Sequence, residues 1–332
     1  MRRQETGDRR QEVEGHGGNY KDSSPSPLPP DSRKGGFLSP PLPTPYSPQL
    51  TADGSYTFFS TEFGEAYHSQ FGARQEAEFK FVEPTQLRQK ARQQKSLRLL
   101  DVCYGLGYNT AAALSAIWEV NPNCDVEVVG LELDPTVPQA AIAHHLLDGW
   151  SQLLPQLTQL AATHQVTTDR LQAKLLLGDA RQSIQTLQAS GFQADTIFLD
   201  PFSPPTCPQL WTVEFLGYAA LCMHKSGILA TYSCAASVRA ALQAVGLKIG
   251  STSPVGRRSP GTVASWDDSV LPPLSQQEQE HLHTRAAIPY RDPQLSDPAE
   301  IICQRRVQEQ QTSPLEPTSR WRKRLEKGNQ ES

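Results

Sequence analysis

The chain has 332 residues, of which 37% are hydrophobic, and a formal net charge of −4. This length suits one large domain or two ordinary ones, and the slightly acidic balance argues against indiscriminate nucleic-acid binding while allowing a local basic patch. The sequence contains no run of about 18 apolar residues, so we expect no membrane-spanning segment.

The N-terminal segment differs from the rest, because nine of the 27 prolines lie in residues 1–50 among Ser, Gly and charged residues. Such a segment buries too little apolar surface to offset its ordering entropy, so we predict that residues 1–45 are disordered. The opening MRRQETGDRRQEVEGHGG lacks an apolar stretch, which argues against a signal peptide.

Six cysteines are scattered along the chain without a Cys-x-x-Cys pair. In a chain of this length the pattern indicates reduced thiols, so we expect a cytoplasmic protein without disulfides or zinc. The histidine pairs His144-His145 and His281/His283 do not have the spacing of metal ligands with a carboxylate helper, and we predict no metal site.

Strands and helices alternate from Leu97 onward. The predicted strands lie, in chain order, in LRLLDV, CDVEVVGLELDP, LQAKLLLGD, DTIFLDPFSP, SGILATYSC and the two arms of VGLKIGSTSPVGRRSPGTVASW. Residues 136–170 are predicted to be helical, with one helix at 140–147 and a second at 153–162. Strands rich in Val, Ile and Leu between helices predict an α/β fold with a mainly parallel sheet, covered on both faces and closed by an antiparallel pair.

Four successive predicted strands end near acidic residues, namely Asp101, Glu132 with Asp134, Asp179, and Asp200. Ligands of parallel sheets bind at the carboxyl ends of the strands, where the strand order reverses. Carboxylates repel phosphates but favour a cation that carries hydroxyl groups. S-adenosylmethionine has a sulfonium, an α-amino group and ribose hydroxyls, so we predict that it binds at this edge of the sheet.

The turn after the first of these strands contains Gly105 and Gly107, which let the backbone approach a ligand closely. A dinucleotide fingerprint needs a third glycine at position 110, where Thr110 stands, so a dinucleotide site is disfavoured. Glu132, at the end of the next strand, is suited to accept hydrogen bonds from ribose hydroxyls. The alternative is a tight turn followed by a solvent-exposed acid.

Asp179 is suited to the adenine amino group, and its alternative role is the N-cap of the helix that begins at RQSI. Asp200 precedes Pro201 and Phe202, and Asp-Pro alone is ordinary turn chemistry. An alkyl amine has a pKa of about 10 and arrives mostly as ammonium. A carboxylate at this place can bind the amine and accept its proton, while Phe202 supplies an apolar wall.

Four segments resemble one known family: TADGSYTFFSTEFGEAYHSQFGARQEAEFKF, LDVCYGLGYNT, IFLDPFSPPTCPQLW and GRRSPG. They are similar to the tRNA wobble-uridine methyltransferases, which comprise the stand-alone MnmD-type enzymes and the methyltransferase half of bifunctional MnmC. The resemblance covers about residues 48–265 and continues through AAIPYRDPQLSDPAEI, which is similar to a tail of the stand-alone type. It implies a Rossmann-like class I methyltransferase that uses S-adenosylmethionine to methylate the amine of 5-aminomethyl-(2-thio)uridine in tRNA.

Site residues follow from the same resemblance. The family's G-x-G-x-N donor loop, its acidic strand ends and its D-[GP]-F-[AS]-P loop match Gly105, Gly107 and Asn109, then Glu132 and Asp179, then Asp200, Pro201 and Phe202. Many relatives have glycine at position 201, which leaves the local backbone open. Glu76 and Glu78 lie in the opening segment, where Glu76 would cap the donor site; the alternative is a hydrated hairpin face.

The expected organisation has four parts: a disordered tail (1–45), a β-hairpin cap (46–95), a methyltransferase core (96–266) and a C-terminal extension with a basic end (267–332). Bifunctional relatives carry a flavin-dependent oxidase domain, for which this chain has no room. The GHGG cluster of the tail lacks a surrounding strand and helix. We therefore expect no FAD and no metal, and the aminomethyl group must come from other enzymes.

The expected partner is the anticodon loop of tRNA, whose wobble base can be splayed into a pocket. Candidate phosphate contacts are Arg257 and Arg258 beside the closing strands, and Arg320 and Arg322 in SRWRKRLEKG. The alternative for the basic end is a solvated tail. Trp211 is expected in the core rather than in a stacking role, and we infer no obligatory protein partner.

Two other functions remain open. The first is methyl transfer to another amine, on a protein or a small molecule. The second is a non-catalytic RNA- or nucleoside-binding module on the same fold, which the intact Asp200 and the strand-end acids disfavour. Aminopropyl transfer is also disfavoured, because the chain lacks an obvious pair of pocket acids after the fourth strand.

Overall fold

The computed structural model describes residues 46–255 and 259–328. The predicted disordered tail and the candidate residues Arg257 and Arg258 lie outside this described part. The strands are β1 (Gln49–Leu50), β2 (Tyr56–Thr57), β3 (Phe59–Ser60), β4 (Glu65–Ala66), β5 (Ser96–Val102), β6 (Asp125–Glu132), β7 (Gln165–Thr167), β8 (Leu171–Leu177), β9 (Ala194–Leu199), β10 (Met223–Thr231), β11 (Lys248–Ser251) and β12 (Thr262–Ser265).

The α-helices are α1 (Ala73–Glu76), α2 (Leu87–Gln93), α3 (Tyr108–Val120), α4 (Thr136–Ala143), α5 (Leu154–Thr163), α6 (Ala180–Ala189), α7 (Val213–Leu221), α8 (Ala236–Ala244), α9 (Gln276–His281), α10 (Ala299–Thr312) and α11 (Thr318–Gly328). A π-helical turn (Ala77–Val82) continues α1. Short 3₁₀ turns lie at Asp148–Trp150, Pro208–Trp211 and Arg285–Ala287.

Eight strands form the central sheet in the order β11-β12-β10-β9-β5-β6-β8-β7. The five inner strands β10, β9, β5, β6 and β8 run parallel, while β12 and β11 close one edge in antiparallel pairing. This arrangement confirms the predicted fold class. The chain moves from β5 toward β8 in one direction and then returns to β9, so the strand order reverses between β5 and β9.

Both faces of the sheet are buried because neighbouring residues of each strand point to opposite sides. Leu99 and Val128 pack with α2, α3, α4 and α5 on one face. Leu100 and Val129 pack with α6, α7, α8 and α10 on the other. The Val/Leu runs that predicted the parallel strands are therefore the two-sided core of the molecule.

Residues 136–170 contain two helices, α4 and α5, which overlap the two predicted ones, but they also contain a strand that the sequence did not predict. α5 ends at His164, whose backbone is left-handed with φ of 60°. The turn sends the chain back as β7, which pairs antiparallel with β8 through Gln165 and Lys174. The sheet thus has an antiparallel strand at each edge.

The residues before β5 form a cap of small elements. β1 pairs with β2 and β3 with β4, both antiparallel, which confirms the expected N-terminal hairpin. Strands this short are not stable alone and need tertiary contacts. Phe58 supplies one, since its ring stacks on Tyr46 and meets His144 edge to face.

The C-terminal residues pack against the helical face that contains α7 and α8. α9 begins with a capping box in which Ser275 and Glu278 bond each other's backbone. Arg306 of α10 lies over the ring of Tyr290 at 4.5 Å. Trp211 is fully buried, as the sequence indicated. Among the described helices, none is both long and apolar enough to cross a bilayer.

Candidate active site

A cavity of about 580 Å³ lies at the carboxyl ends of the central strands. Its walls come from the turn after β5, the end of β6, the loop after β9 and the start of the loop after β10, and the β3–β4 hairpin covers one side. This position coincides with the reversal of strand order, where ligands of parallel sheets bind. A volume of this size is typical of a small-molecule site.

The turn after β5 has three residues in left-handed conformation, Cys103, Gly105 and Gly107. Gly105 lines the cavity and its backbone N–H donates to Oε2 of Glu132 at 2.7 Å. Gly107 caps α3, and a Cβ there would meet the Tyr104 hydroxyl at 2.7 Å. Gly105 therefore forms the wall of the site, while Gly107 shapes the turn beneath it.

Glu132 lies at the end of β6 with its carboxylate in the cavity wall. Besides Gly105, the backbone N–H of Asp134 donates to it at 2.9 Å. Burial raises the pKa of Glu132 to about 7, although these hydrogen bonds oppose the shift. A buried carboxylate of this kind accepts hydrogen bonds from hydroxyl groups and is stabilised in its ionised form by a nearby cation.

Asp179 takes the alternative role proposed for it. Its side chain accepts a hydrogen bond from the backbone of Arg181 and caps α6. The Arg181 guanidinium also lies 2.7 Å from the Asp179 carboxylate and 2.9 Å from that of Asp292. Burial alone would raise the pKa of Asp179, but the bonds and charge of Arg181 hold it below its usual value. Among the described residues, the cavity lining does not include Asp179.

Asp200 follows β9 and lines the cavity with Pro201 and Phe202. Its Oδ2 accepts a hydrogen bond from the side-chain amide of Asn109 at 2.9 Å. Burial and then the negative charge of Glu76 raise the pKa of Asp200 well above its usual value. The sequence interpretation assigned Asn109 to the donor loop. In the structure its side-chain amide bonds instead to Asp200, the acid assigned to the acceptor.

Glu76 lies at the end of α1 and lines the same cavity. It accepts a hydrogen bond from the backbone N–H of Ser69 at 2.7 Å. Glu76 and Asp200 line the same cavity, and the Glu76 charge contributes to the raised pKa of Asp200, whereas the sequence interpretation put Glu76 over the donor. Within this cavity the charge of Glu76 therefore opposes ionisation of Asp200.

An aromatic cluster adjoins Asp200, and the sequence interpretation did not identify most of it. Phe202 stacks on Phe63 with ring centroids 4.4 Å apart and meets Tyr67 edge to face at 5.1 Å. Phe63 and Tyr67 lie in the cap and line the cavity with Phe202. Phe63 lies in the turn between β3 and β4 and Tyr67 directly follows β4, so no regular spacing in the sequence indicated that they share a side.

Backbone carbonyls of the loop after β9 are held by side chains of the core. The Tyr232 hydroxyl donates to the carbonyl of Pro201, and the indole N–H of Trp211 donates to that of Phe202, both at 2.8 Å. Pro201 thus has a defined backbone position. Trp211 and Tyr232 stabilise the loop from below.

The basic C-terminal residues lie on α11, outside the cavity lining. Trp321 anchors this helix by stacking on His281 at 4.6 Å and donating to Glu280. Arg320 and Arg322 are exposed. The described part of the chain contains no group of three or more His, Cys, Asp or Glu side chains placed to hold a metal ion.

S-adenosyl-L-methionine fits the residues present in this cavity. Glu132 provides a buried carboxylate for hydroxyl groups, and Gly105 leaves the adjoining backbone open to close approach. Leu133, the next residue in the wall, is 56% exposed and offers an apolar surface to a flat ring. Carboxylates on several sides suit a cationic ligand and disfavour a phosphorylated one.

Comparison with known proteins identifies a family of methyltransferases. A family described as S-adenosyl-L-methionine-dependent methyltransferase matches residues 138–267. An uncharacterized protein of Methanocaldococcus jannaschii is 31% identical over 256 residues, which cover 74% of this chain and 67% of that protein. The tRNA 5-methylaminomethyl-2-thiouridine biosynthesis bifunctional protein MnmC of Aromatoleum aromaticum is 30% identical over 211 residues. That match covers 59% of this chain but only 32% of the relative, so the chain spans about a third of the bifunctional protein.

The crystal structure of MnmC2 from Aquifex aeolicus is similar over most of both chains. It has 33% sequence identity and a TM-score of 0.70, and the match covers 82% of this chain and 87% of that one. The family resemblance drawn from the sequence is confirmed: this chain belongs to the MnmC2, or MnmD-type, family of S-adenosyl-L-methionine-dependent methyltransferases.

Proposed function

We propose that this enzyme transfers a methyl group from S-adenosyl-L-methionine to the 5-aminomethyl group of (2-thio)uridine at the wobble position of tRNA. The observation that supports it most is the place of the Asp200 carboxyl. It lines the cavity together with Glu76 and the aromatic cluster, and it accepts a hydrogen bond from Asn109. The names of the MnmC relatives point to the same nucleoside.

An amine acceptor suits the paired carboxyls. Burial and the negative charge of Glu76 both disfavour ionisation of Asp200, while Glu76 itself is only partly buried. An ammonium group between them favours their ionised forms. The carboxyl pair then accepts one amine proton, directly or through water, and leaves a neutral nitrogen whose lone pair can form the new N–C bond.

The donor supplies an electrophilic methyl group when it is bound. The amine nitrogen gains that methyl as the carbon–sulfur bond breaks, and the product is a secondary ammonium. Most of the rate enhancement in such a transfer comes from alignment, an effect worth up to roughly 7–11 kcal/mol. Asn109 contributes by fixing the orientation of the Asp200 carboxylate.

A planar base suits the aromatic cluster. Stacking of a base on an aromatic side chain is worth about 1–3 kcal/mol, and Phe202 stands next to the acid that binds the amine. The wobble base must leave the anticodon loop to reach this cavity, as in other enzymes that modify bases. We place the reaction in the cytoplasm.

The test is methylation of tRNA that carries 5-aminomethyluridine, with methyl-labelled donor and mass analysis of the released nucleosides. We expect 5-methylaminomethyluridine as the only labelled nucleoside. The same tRNA without the aminomethyl group is the matched control and should stay unlabelled. Labelling of a protein or a free amine instead would support another acceptor, and donor binding without any transfer would support the non-catalytic alternative.

A further inference from the structure

Glu65 ties the cap to the loop that carries the acceptor acid. Its carboxylate accepts the backbone N–H of Ser203 at 2.9 Å, the Ser203 hydroxyl, and the Thr206 hydroxyl at 2.7 Å. These partners are separated from Glu65 by more than 130 positions in the sequence, so the contact joins two distant parts of the fold. The Glu65 side chain also lines the cavity.

The hairpin that carries Glu65 has little stability of its own. β3 and β4 contain two residues each, with Ser60 opposite Glu65 and Phe59 opposite Ala66. Such a pair of strands is not stable in isolation. The Glu65 bonds and the contacts of Phe63 and Tyr67 with Phe202 therefore hold the hairpin against this loop.

The same bonds complete the support of the loop after β9 that carries Asp200, which we call the acceptor loop. Tyr232 and Trp211 hold the carbonyls of Pro201 and Phe202 from the core side. Glu65 binds the N–H of Ser203 from the cap side, so the peptide group between Phe202 and Ser203, whose carbonyl Trp211 holds, is bound at both ends. Two consecutive peptide groups after Asp200 are thus held by side chains, and one of the bonds to the second comes from the hairpin.

We propose that Glu65 is a positioning residue, which acts on methyl transfer by holding the Asp200–Ser203 backbone and thereby the Asp200 carboxyl in its reactive place. This inference rests on the proposed function for its kinetic part. Alignment of reacting groups is sensitive, and a displacement of about 1 Å can reduce a rate by about 10²-fold. Glu65 itself exchanges no proton with the acceptor.

The structural part of the test is amide hydrogen exchange of the loop in the full-length protein, measured by mass spectrometry without donor or acceptor. Glu65→Ala removes the acceptor of the Ser203 N–H, so peptides that cover residues 200–206 should exchange faster than in the wild type. Glu65→Gln keeps the side-chain volume and should show a smaller increase. Glu83→Gln is the matched control, since Glu83 is an exposed residue of the same cap, and should leave exchange unchanged.

The kinetic part measures single-turnover methylation and donor binding for the same variants. We expect Glu65→Ala to lower the transfer rate by about 10- to 100-fold, with the donor Kd changed less than twofold. The pH dependence of the rate should keep its wild-type shape, because Glu65 is not the base. Ser203→Ala with Thr206→Val should also slow transfer, and adding them to Glu65→Ala should cost little more, since all three remove one contact.

The outcomes separate this inference from the proposed function. Faster loop exchange together with slower transfer supports both. A wild-type rate in Glu65→Ala overturns the positioning role. If wild-type protein methylates no tRNA, the proposed function fails, and the exchange experiment alone decides: unchanged exchange in both Glu65 variants overturns the inference, whereas faster exchange supports it.

Discussion

Asp200 resists ionisation because burial and the charge of Glu76 both raise the pKa of its carboxyl group. The hydrogen bond from Asn109 opposes this shift but does not cancel it. A group in this state gains most from a cationic ligand, since the ammonium supplies the missing opposite charge. The acceptor side of the cavity is therefore suited to an amine.

Replacing this carboxyl should remove the proton acceptor without disturbing the fold. Asp200→Asn keeps the shape of the side chain and an oxygen for the Asn109 amide, so we expect donor binding to stay within twofold of wild type. The transfer rate should fall by about 10²-fold or more, the contribution typical of a general base. Isothermal titration and single-turnover labelling measure the two quantities.

The matched control for Asp200→Asn is Asp169→Asn, which changes an exposed residue before β8. This variant should have the wild-type rate. If Asp200→Asn also methylates at the wild-type rate, Asp200 takes no part in the chemistry and Glu76 becomes the candidate base. If donor affinity falls instead, Asp200 belongs to the donor side of the cavity.

Single residues differ in how far the sequence predicts them. Asp200 and Glu132 could be found because they end buried strands, and strand ends meet at one edge of a parallel sheet. Asp179 has the same signal, yet its carboxylate is engaged by Arg181 and the helix N-terminus, a competition that only the folded geometry decides. Glu65 could not be found, since its partners Ser203 and Thr206 are distant in sequence.

Among whole elements, the inner strands were predictable and the small ones were not. A run such as that of β6 is buried on both faces, which leaves a continuous apolar signal. β7 has three residues and only Val166 is buried, so its sequence carries almost no pattern. Its existence depends on the left-handed turn at His164 and on the free edge of β8.

Helix α11 is the element on which a tRNA contact can be tested. Trp321 and Arg324 attach it to the protein through His281, Glu280 and Glu316, while Arg320 and Arg322 are exposed. If these two arginines contact phosphates, Arg320→Ala with Arg322→Ala should weaken tRNA binding. The slope of log K against log salt should become less steep by about 1–2. Filter binding over a salt series measures both.

A control variant that loses two positive charges from other elements distinguishes a contact by α11 from a general effect of net charge. Arg92→Ala with Lys225→Ala removes two exposed positive charges from other elements and should change tRNA binding less. Donor affinity should stay at the wild-type value in both double variants. Equal salt slopes for wild type and the α11 variant would show that α11 is a solvated surface helix.

At the scale of the whole molecule, the site is formed where the cap, the sheet and the acceptor loop meet. Burial on both faces of the sheet makes the strand ends rigid, but it also places ionisable groups where water does not reach. Asp101 is fully buried, with one carboxyl oxygen bonded to the Thr110 hydroxyl at 2.7 Å and the other without a described partner. The geometry of the site therefore has a cost in stability that depends on pH.

Asp101 carries a measurable part of that cost. Burial raises its pKa from 3.8 to about 7, so folding opposes its ionisation. Well below pH 4 the group is protonated in both the folded and unfolded states and has no effect on stability. As the pH rises from about 4 to about 7, only the unfolded state ionises, and the wild type loses on the order of 2–4 kcal/mol of unfolding free energy from this group. Above pH 7 the loss is constant.

Asp101→Asn removes this ionisation and keeps an oxygen for Thr110. Any effect of the new amide on the unfolding free energy is the same at every pH. Between pH 4 and pH 7 the wild type should therefore lose unfolding free energy relative to the variant. Urea unfolding of the apoprotein at a series of pH values measures it, and exposed Asp125→Asn is the control expected to give a flat difference. If the unfolding free energies of Asp101→Asn and wild type change in parallel with pH, Asp101 ionises in the folded protein as easily as in water. Water then reaches the Asp101 carboxyl beneath the turn that follows β5.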